Sequence, residues 1–184
     1  MNKKPYGTLE VVCGPMFAGK TTELLKRVLW ARNGLNQNVK VFKPAFDNRY
    51  SETEIVSHDG LKTVADSITT WVELEEEWDL VVFDEIQFFT DPHFDRNLIK
   101  IVASLLTNGT NVLATGLDMD WRGEPFYVTG MLLAMADKVK KLKANCTISG
   151  RPAGKTFKKS GKGSSVELGA TDLYEARSNE HWTY

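Results

Sequence analysis

Residues 14–21 read Gly14-Pro15-Met16-Phe17-Ala18-Gly19-Lys20-Thr21 and match the pattern G-x-x-x-x-G-K-[ST] in full. The apolar segment 8–13 precedes this stretch and is typical of a buried strand, and segment 21–33 carries leucines and a valine at helical spacing. Glycines in such a turn let backbone N–H groups converge on phosphate oxygens, and the start of the helix adds positive potential. The stretch therefore predicts a phosphate-binding loop and a triphosphate site.

Two side chains of this loop supply a positive charge and a metal ligand. Lys20 places its ammonium group on the terminal phosphates, and the Thr21 hydroxyl can reach a magnesium ion. A second magnesium ligand is expected at the end of a neighbouring parallel strand, and Asp84 follows the unbroken apolar run 80–83. Ligands of open α/β sheets gather at the carboxyl ends of strands, where both motifs fall. We predict that Thr21 and Asp84 hold magnesium.

Glu85 follows Asp84 directly and is the candidate catalytic base. Its side chain should leave the strand end in a different direction, where it can take the proton of an acceptor hydroxyl or of a water. Phosphoryl transfer depends mostly on positioning and charge neutralisation, so such a base orients the acceptor as much as it deprotonates it. The Asp-Glu pair alone does not separate a kinase from an ATPase.

Segments typical of strands and helices alternate along the chain. Strands are predicted at residues 8–13, 38–42, 80–83, 111–115 and 138–144, and helices at 21–33, 67–77, 95–106 and 126–136. The polar stretch 47–60 shows little periodicity and is predicted to be a long functional loop. The alternation predicts an α/β fold of the P-loop, RecA-like type, in which helices cover both faces of a mostly parallel sheet.

The composition changes after about residue 145. Five of the 14 glycines lie beyond this point, and segment 151–163 holds five basic residues and no acid. This change predicts a nucleotide-binding domain over residues 1–144 and a small irregular subdomain with a loop over residues 145–184.

Charge and cysteine content exclude several classes of protein. Lys and Arg number 23 against 24 Asp and Glu, and this balance argues against a nucleic-acid or membrane-surface partner. No run approaches the roughly 18 apolar residues of a transmembrane helix. Two cysteines are too few for a disulfide framework, so a reduced, cytoplasmic protein is expected.

Further motifs follow the phosphate-binding loop in order along the chain. They are Thr22-Glu23-Leu24-Leu25, Lys43-Pro44-Ala45, Asp47-Asn48-Arg49-Tyr50-Ser51, Ser57-His58-Asp59-Gly60, Phe83-Asp84-Glu85-Ile86-Gln87-Phe88-Phe89, Gly116-Leu117-Asp118 and Arg122-Gly123-Glu124-Pro125-Phe126. This ordered set closely resembles the cytosolic, zinc-containing (type II) thymidine kinases. The resemblance implies transfer of the ATP γ-phosphoryl group to the 5′-hydroxyl of thymidine or deoxyuridine. It also implies magnesium, a homotetramer and feedback inhibition by thymidine triphosphate.

The resemblance also implies roles for individual residues. Asp84 corresponds to the acid that the family places near the magnesium, and Glu85 to its catalytic base. Asp47 and Arg49 match a D-x-R motif beside the transferring phosphate, where Arg49 would act in catalysis by spreading charge; a simple ion pair within the loop is the alternative. The expected ATP-binding residues are Gly14, Pro15, Met16, Phe17, Ala18, Gly19, Lys20, Thr21, Asp84, Glu85, Ile86 and Gln87.

A set of apolar, aromatic and tail residues matches the family's nucleoside site. Its expected members are Met16, Phe88, Leu117, Trp121, Phe126, Thr156, Val166, Glu167, Leu168, Gly169 and Tyr174. Apolar and aromatic walls suit the stacking of a flat pyrimidine, although any one of these side chains could simply belong to the core. Trp121 stands where the family usually has Phe. The resemblance implies that the base is read by the main chain around 166–169, in a loop that the family calls the lasso.

The tail departs from the family pattern at the zinc site. The family holds zinc through C-x-x-C and a later C-x-x-C/H, whereas the chain reads Cys146-Thr147-Ile148-Ser149 and Ser178-Asn179-Glu180-His181. Serine is a poor zinc ligand compared with thiolate, so zinc at Cys146 and His181 is doubtful. We expect a zinc-ribbon-like subdomain whose anchor relies on packing, with Trp182 and Tyr184 as candidates.

A P-loop ATPase or nucleotide-switched regulator without nucleoside phosphorylation is the alternative function. The altered zinc motif favours it, and the presence of Glu85, Arg49 and the aromatic residues argues against it. A rate of ADP formation that depends on thymidine would discriminate, because an ATPase needs no nucleoside.

Overall fold

A computed structural model describes residues 5–46, 53–56, 60–71, 73–74, 76–164 and 172–183. Its strands are β1 Leu9–Cys13, β2 Val39–Pro44, β3 Glu54–Val56, β4 Lys62–Val64, β5 Asp66–Ile68, β6 Leu80–Phe83, β7 Asn111–Gly116, β8 Lys138–Lys141, β9 Ala144–Asn145, β10 Pro152–Ala153, β11 Lys155–Lys158 and β12 Tyr174–Arg177. Its α-helices are α1 Lys20–Leu29, α2 Leu98–Thr107 and α3 Tyr127–Met135. A π-helical turn, Trp30–Gly34, extends α1, and 3₁₀ turns cover Ile86–Phe88 and Asn179–His181.

Six strands form the central sheet in the order β5-β2-β6-β7-β1-β8. Every neighbouring pair in this sheet is parallel, with Val11 opposite Ala114 and Val82 opposite Leu113. β7 lies between β1 and β6, so the turn after β1 and the acids after β6 lie at the same edge of the sheet. The predicted α/β fold with a parallel sheet is confirmed.

The two faces of the sheet are covered by different helices, because side chains alternate along each strand. On one face, α1 contributes Leu24, Leu25 and Val28 to an apolar cluster. The strands contribute Val12, Val41, Val82 and Leu113. On the other face, α2 contributes Leu98 and Val102 to a second cluster and α3 contributes Leu132. The strands contribute Leu9, Val11, Val81, Phe83 and Val112. Strands buried on both faces read as continuous apolar runs, which is why 80–83 was recognisable from the sequence.

No helix in the described part of the chain has the length and apolar character needed to cross a bilayer.

The predicted helix at 67–77 is wrong. The segment begins with β5, which pairs in parallel with β2 at the edge of the sheet, and none of the described residues of 67–77 is helical. The β-branched residues Ile68, Thr69 and Thr70 favour extended backbone, and Trp71 packs against the core under α2. Pairing with β2, a strand distant in sequence, determines the conformation at the start of this segment.

Two other predicted segments differ from the structure. The stretch 47–60 contains β3, which forms an antiparallel pair with β4, while residues 47–52 and 57–59 lie outside the described part. The predicted strand 138–144 is divided into β8 in the main sheet and β9, which pairs with β10.

The tail contains two antiparallel pairs, β9 with β10 and β11 with β12. A small apolar cluster of Ala144, Cys146, Ala153 and Ala176 lies beneath them, and Ala18 of the phosphate-binding loop packs against it. The domain boundary at residue 144 stays a prediction.

Candidate active site

Two glycines determine the shape of the phosphate-binding loop after β1. A Cβ atom at Gly14 would lie 2.4 Å from the carbonyl oxygen of Leu142, so no other residue fits there. Gly19 has φ 77°, in the left-handed region that favours glycine, and α1 begins directly after it at Lys20. The loop therefore ends at a helix N-terminus, where backbone N–H groups and the helix dipole favour a phosphate.

The Lys20 side chain is buried in this loop and close to three carboxylates. It is 8% exposed, and its Nζ donates to the Pro15 carbonyl oxygen at 2.9 Å. Burial lowers the pKa of Lys20, and the nearby carboxylates of Glu85, Asp84 and Asp118 oppose that shift. The structure thus brings together Lys20, Asp84 and Glu85, which the sequence predicted to meet at the edge of the sheet.

Asp84 is buried at the end of β6. One carboxylate oxygen, Oδ1, accepts hydrogen bonds from the Thr115 hydroxyl and from the Glu85 N–H, the latter at 3.0 Å. Burial, followed by the negative charge of Glu85, raises the pKa of Asp84 to about 7, although the bond from Thr115 lowers it. Thr115, on the adjacent strand β7, was not predicted as a site residue.

The environment of Asp84 fits a divalent cation. Two adjacent acids, one of them buried, repel each other, and a cation between protein and phosphate relieves that repulsion. Magnesium is usually held by one or two carboxylates together with waters and substrate phosphates, so no larger set of protein ligands is needed. Thr21, half-buried in the first turn of α1, is the hydroxyl suited to the same ion.

Glu85 adopts the left-handed conformation, with φ 52° and ψ 47°. This conformation is uncommon for a residue with a Cβ atom and is retained mainly where surrounding structure enforces it, often at functional sites. Here the Phe88 N–H donates to the Glu85 carbonyl oxygen at 3.0 Å. This bond closes the turn that follows β6; the direction of the Glu85 carboxylate relative to that of Asp84 stays a prediction.

Gln87 connects Glu85 to the predicted nucleoside pocket. Its Nε2 donates to Glu85 Oε2 at 2.5 Å, and its Oε1 accepts from the Leu117 N–H at 2.9 Å. Ile86 and Gln87 are almost completely buried, and their contacts with ATP stay a prediction. Gln87 therefore has the contacts of a positioning residue for Glu85.

The predicted pocket residues fall into several groups. The Met16 N–H donates to the Thr156 hydroxyl at 3.0 Å, which joins the phosphate-binding loop to β11. The Lys158 ammonium group lies 5.9 Å from the ring centroid of Trp121 and 5.9 Å from that of Tyr174.

Phe88 and Phe126 are two further aromatic positions of the predicted pocket. The ring of Phe88 makes an edge contact with Phe46, with centroids 5.3 Å apart, and Phe126 precedes the first turn of α3. The Trp121 Nε1 donates to the Ser164 carbonyl oxygen at 3.2 Å, at the last described residue before the predicted base-reading loop.

Several predicted site residues lie outside the described residues. They are Asp47, Arg49, Val166, Glu167, Leu168, Gly169 and the tail residue Tyr184. Their roles stay predictions.

Lys158 and Thr115 are site residues that sequence reasoning missed. Lys158 is 2% exposed although it lies in the basic, glycine-containing segment 151–163, whose composition is typical of a surface loop. Thr115 could have been found from the parallel register, because β7 lies next to β6 and Thr115 lies near the carboxyl end of β7.

Comparison with known proteins agrees with this geometry. Residues 7–182 match the family model described as thymidine kinase. The chain is also 40% identical to a protein named thymidine kinase from Thermococcus kodakarensis, over 96% of this chain and 94% of the relative. A match of this extent covers the phosphate-binding loop, the acids after β6 and the tail. The chain therefore belongs to the thymidine kinase family.

Proposed function

We propose that the chain transfers the γ-phosphoryl group of ATP to the 5′-hydroxyl of thymidine, with deoxyuridine as a second acceptor. One observation carries the proposal: a buried lysine of a phosphate-binding loop lies close to two adjacent acids at the same sheet edge. Family membership supports a nucleoside as the acceptor.

The donor side of the reaction depends on backbone N–H groups and on Lys20. The loop over residues 14–19 would surround the phosphates of ATP, and Lys20 would place its charge on the terminal ones. Thr21 and Asp84 would hold magnesium, which when bound neutralises charge on the β- and γ-phosphates. Burial of Lys20 and Asp84 strengthens these interactions, because the surroundings screen charge less than water does.

The acceptor side depends on Glu85. Its carboxylate, fixed by the Gln87 amide, would accept a hydrogen bond from the 5′-hydroxyl and align that oxygen with the γ-phosphorus. Arg49 is proposed to neutralise charge that develops on the transferring phosphoryl group. The pyrimidine would lie against the pocket residues, with the base read by the main chain of 166–169.

A coupled assay of ADP formation with a panel of nucleosides tests this function. We expect ADP formation to depend on thymidine or deoxyuridine and to fall to a background rate without nucleoside. Equal rates with and without thymidine would support the ATPase alternative and overturn the proposal. The product should be identified as the 5′-monophosphate, which separates transfer from stimulated hydrolysis.

Assembly, regulation and location are proposed from the family resemblance alone. We propose a homotetramer, inhibition by thymidine triphosphate and a cytoplasmic location. Light scattering at assay concentration tests the tetramer, and thymidine triphosphate added to the coupled assay tests inhibition.

Thr115→Val is expected to weaken the use of magnesium–ATP. The substitution keeps the side-chain volume but removes the hydroxyl that donates to Asp84, and a hydrogen bond to a charged group contributes about 1.5–3 kcal/mol. Loss of this bond should raise the pKa of Asp84, so the KM for ATP should rise roughly tenfold at pH 7. The acid limb of the pH profile of kcat/KM should move to higher pH.

Thr115→Ser is the matched control, since it keeps the hydroxyl and should restore both the KM and the pH profile. An unchanged acid limb in Thr115→Val would contradict the role of this bond.

A further inference from the structure

The four positions that correspond to the family's zinc ligands converge in the tail. The Thr147 N–H donates to the Ala176 carbonyl oxygen at 3.0 Å, which joins segment 146–149 to β12, the strand that leads into segment 178–181. Cys146 and Ser178 are 3% and 7% exposed, and His181 is half-buried beside them. The fold thus assembles the geometry of a site even though two of the residue types have changed.

Hydrogen bonds occupy this cluster. Ser178 Oγ lies 3.0 Å from His181 Nδ1, and Cys146 Sγ lies 3.9 Å from the same nitrogen. The Cys146 thiol, the His181 imidazole and the Ser178 hydroxyl therefore have partners within the cluster.

The donor set does not fit a closed zinc site. Structural zinc takes four strong ligands, usually thiolates and imidazoles, and the cluster offers one of each beside two neutral hydroxyls. The His181 nitrogen nearest Cys146, Nδ1, is also paired with the Ser178 hydroxyl.

The C-terminal turn, residues 178–182, connects this cluster to the phosphate-binding loop. Trp182 Nε1 donates to the carbonyl oxygens of Thr156 and Trp121 at 3.1 and 3.2 Å. The Thr156 hydroxyl in turn accepts the Met16 N–H at 3.0 Å. A continuous path of hydrogen bonds thus runs from the C-terminal turn to the loop that is proposed to bind ATP.

The indole of Trp182 is closely packed at this contact. A Cβ atom at Gly123 would lie 2.7 Å from Trp182 Cη2, and the Lys155 ammonium group is 4.6 Å from the ring centroid. The close approach of Gly123 and the cation over the ring both favour the position from which the Trp182 N–H reaches its two acceptors.

We propose that Cys146, Ser178 and His181 close the C-terminal turn through hydrogen bonds in place of a metal, and that Trp182 couples this closed turn to the phosphate-binding loop. Closure of the tail is then independent of zinc, and two Ser→Cys substitutions are sufficient to convert the cluster into a zinc site.

Metal analysis of the purified full chain tests the first part. We expect far less than one zinc per chain after expression in zinc-supplemented medium, and a melting temperature that a strong chelator leaves unchanged. One zinc per chain, with a melting temperature that falls when the metal is removed, would overturn the proposal.

The double variant Ser149→Cys/Ser178→Cys tests the geometry. It offers three thiolates and one imidazole, so it should bind about one zinc per chain and melt at a higher temperature with zinc than with chelator. The matched control is Ser104→Cys/Ser160→Cys, which adds two thiols at exposed positions and should bind no stoichiometric zinc.

If the double variant folds but does not bind zinc, the inference that the four positions converge is overturned. If the double variant does not fold, Ser149→Cys alone decides the question, because Ser149 is exposed and tolerates the change. This single variant should gain thiolate-to-cobalt absorption on addition of Co²⁺, and absence of that band would overturn the proposal.

Hydrogen exchange in the Trp182→Phe variant tests the second part. Phenylalanine keeps a ring but removes the indole N–H, so the peptide that contains Met16 should exchange several-fold faster than in the unchanged chain. An exchange rate unchanged in this peptide would overturn the coupling. The variant Trp30→Phe is the control, because Trp30 is exposed in the turn after α1 and remote in sequence from the tail.

Discussion

Glu85→Gln is expected to lower kcat by about 10²- to 10⁴-fold and to leave ATP binding nearly unchanged. The substitution preserves the shape of the side chain and an oxygen that can accept from the Gln87 amide, so the left-handed turn at residue 85 should persist. What it removes is the charged acceptor that aligns the 5′-hydroxyl with the γ-phosphorus. ATP contacts the loop and Lys20 in the proposed complex, and these groups are unaltered.

Steady-state kinetics together with direct measurement of nucleotide affinity check this expectation. Glu76→Gln is the control, since Glu76 is exposed and lies outside the site, and its kcat should match that of the unchanged chain. Unaltered turnover in Glu85→Gln would remove Glu85 from its proposed role. A matching loss of ATP affinity would instead indicate that the substitution disturbs the donor site.

Asp84→Asn is expected to abolish most activity and to stabilise the metal-free protein at pH 8. A neutral amide is a weak ligand for magnesium, so kcat/KM should fall by roughly 10³-fold, a loss of about 4 kcal/mol in transition-state stabilisation. The gain in stability has a separate cause, which is the cost of an ionised carboxylate at a buried position.

The sign of the pH effect follows from the pKa of Asp84. Its pKa is about 7 in the folded protein, above the value of 3.8 for a solvated aspartate. The protonated Asp84 carboxyl is therefore tolerated in the folded protein at low pH. The free energy of unfolding falls as pH rises from about 4 through 7, because the buried carboxyl must then ionise. A shift of this size corresponds to roughly 2–4 kcal/mol in the free energy of unfolding at pH 8.

Urea unfolding at pH 5 and pH 8, with chelator and without nucleotide, measures this difference. The free energy of unfolding of Asp84→Asn should exceed that of the unchanged chain at pH 8 and approach it at pH 5. Asp95→Asn is the control, because Asp95 is exposed and its replacement should shift stability little at either pH. Parallel pH curves for Asp84→Asn and the unchanged chain would contradict a raised pKa at Asp84.

Local patterns in the sequence were enough to predict the parallel sheet and the donor half of the site. The phosphate-binding loop is one contiguous stretch: its glycines permit the shape of the backbone, and its lysine supplies the positive charge. The helix α1 follows it directly. Asp84 and Glu85 could be assigned because a strand buried on both faces has an unmistakable apolar run that ends at a polar pair.

The segment 67–77 shows where local patterns fail. Its spacing is compatible with a helix, yet residues 66–68 add an edge strand to β2, more than 20 residues earlier in the chain. Helical periodicity is visible within one segment, whereas parallel pairing depends on a partner strand that the segment itself does not reveal.

The sequence by itself determined the class of fold, the phosphate-binding loop and the acids that follow β6, because each is written in neighbouring residues. Only the tertiary structure decided the contacts around them: the Thr115 bond to Asp84, the burial of Lys158 beside two aromatic rings, and the meeting of Cys146 with Ser178 and His181. These residues are separated by about 16 to 37 positions in the chain, and their hydrogen bonds form only once packing has excluded water and brought distant strands into register.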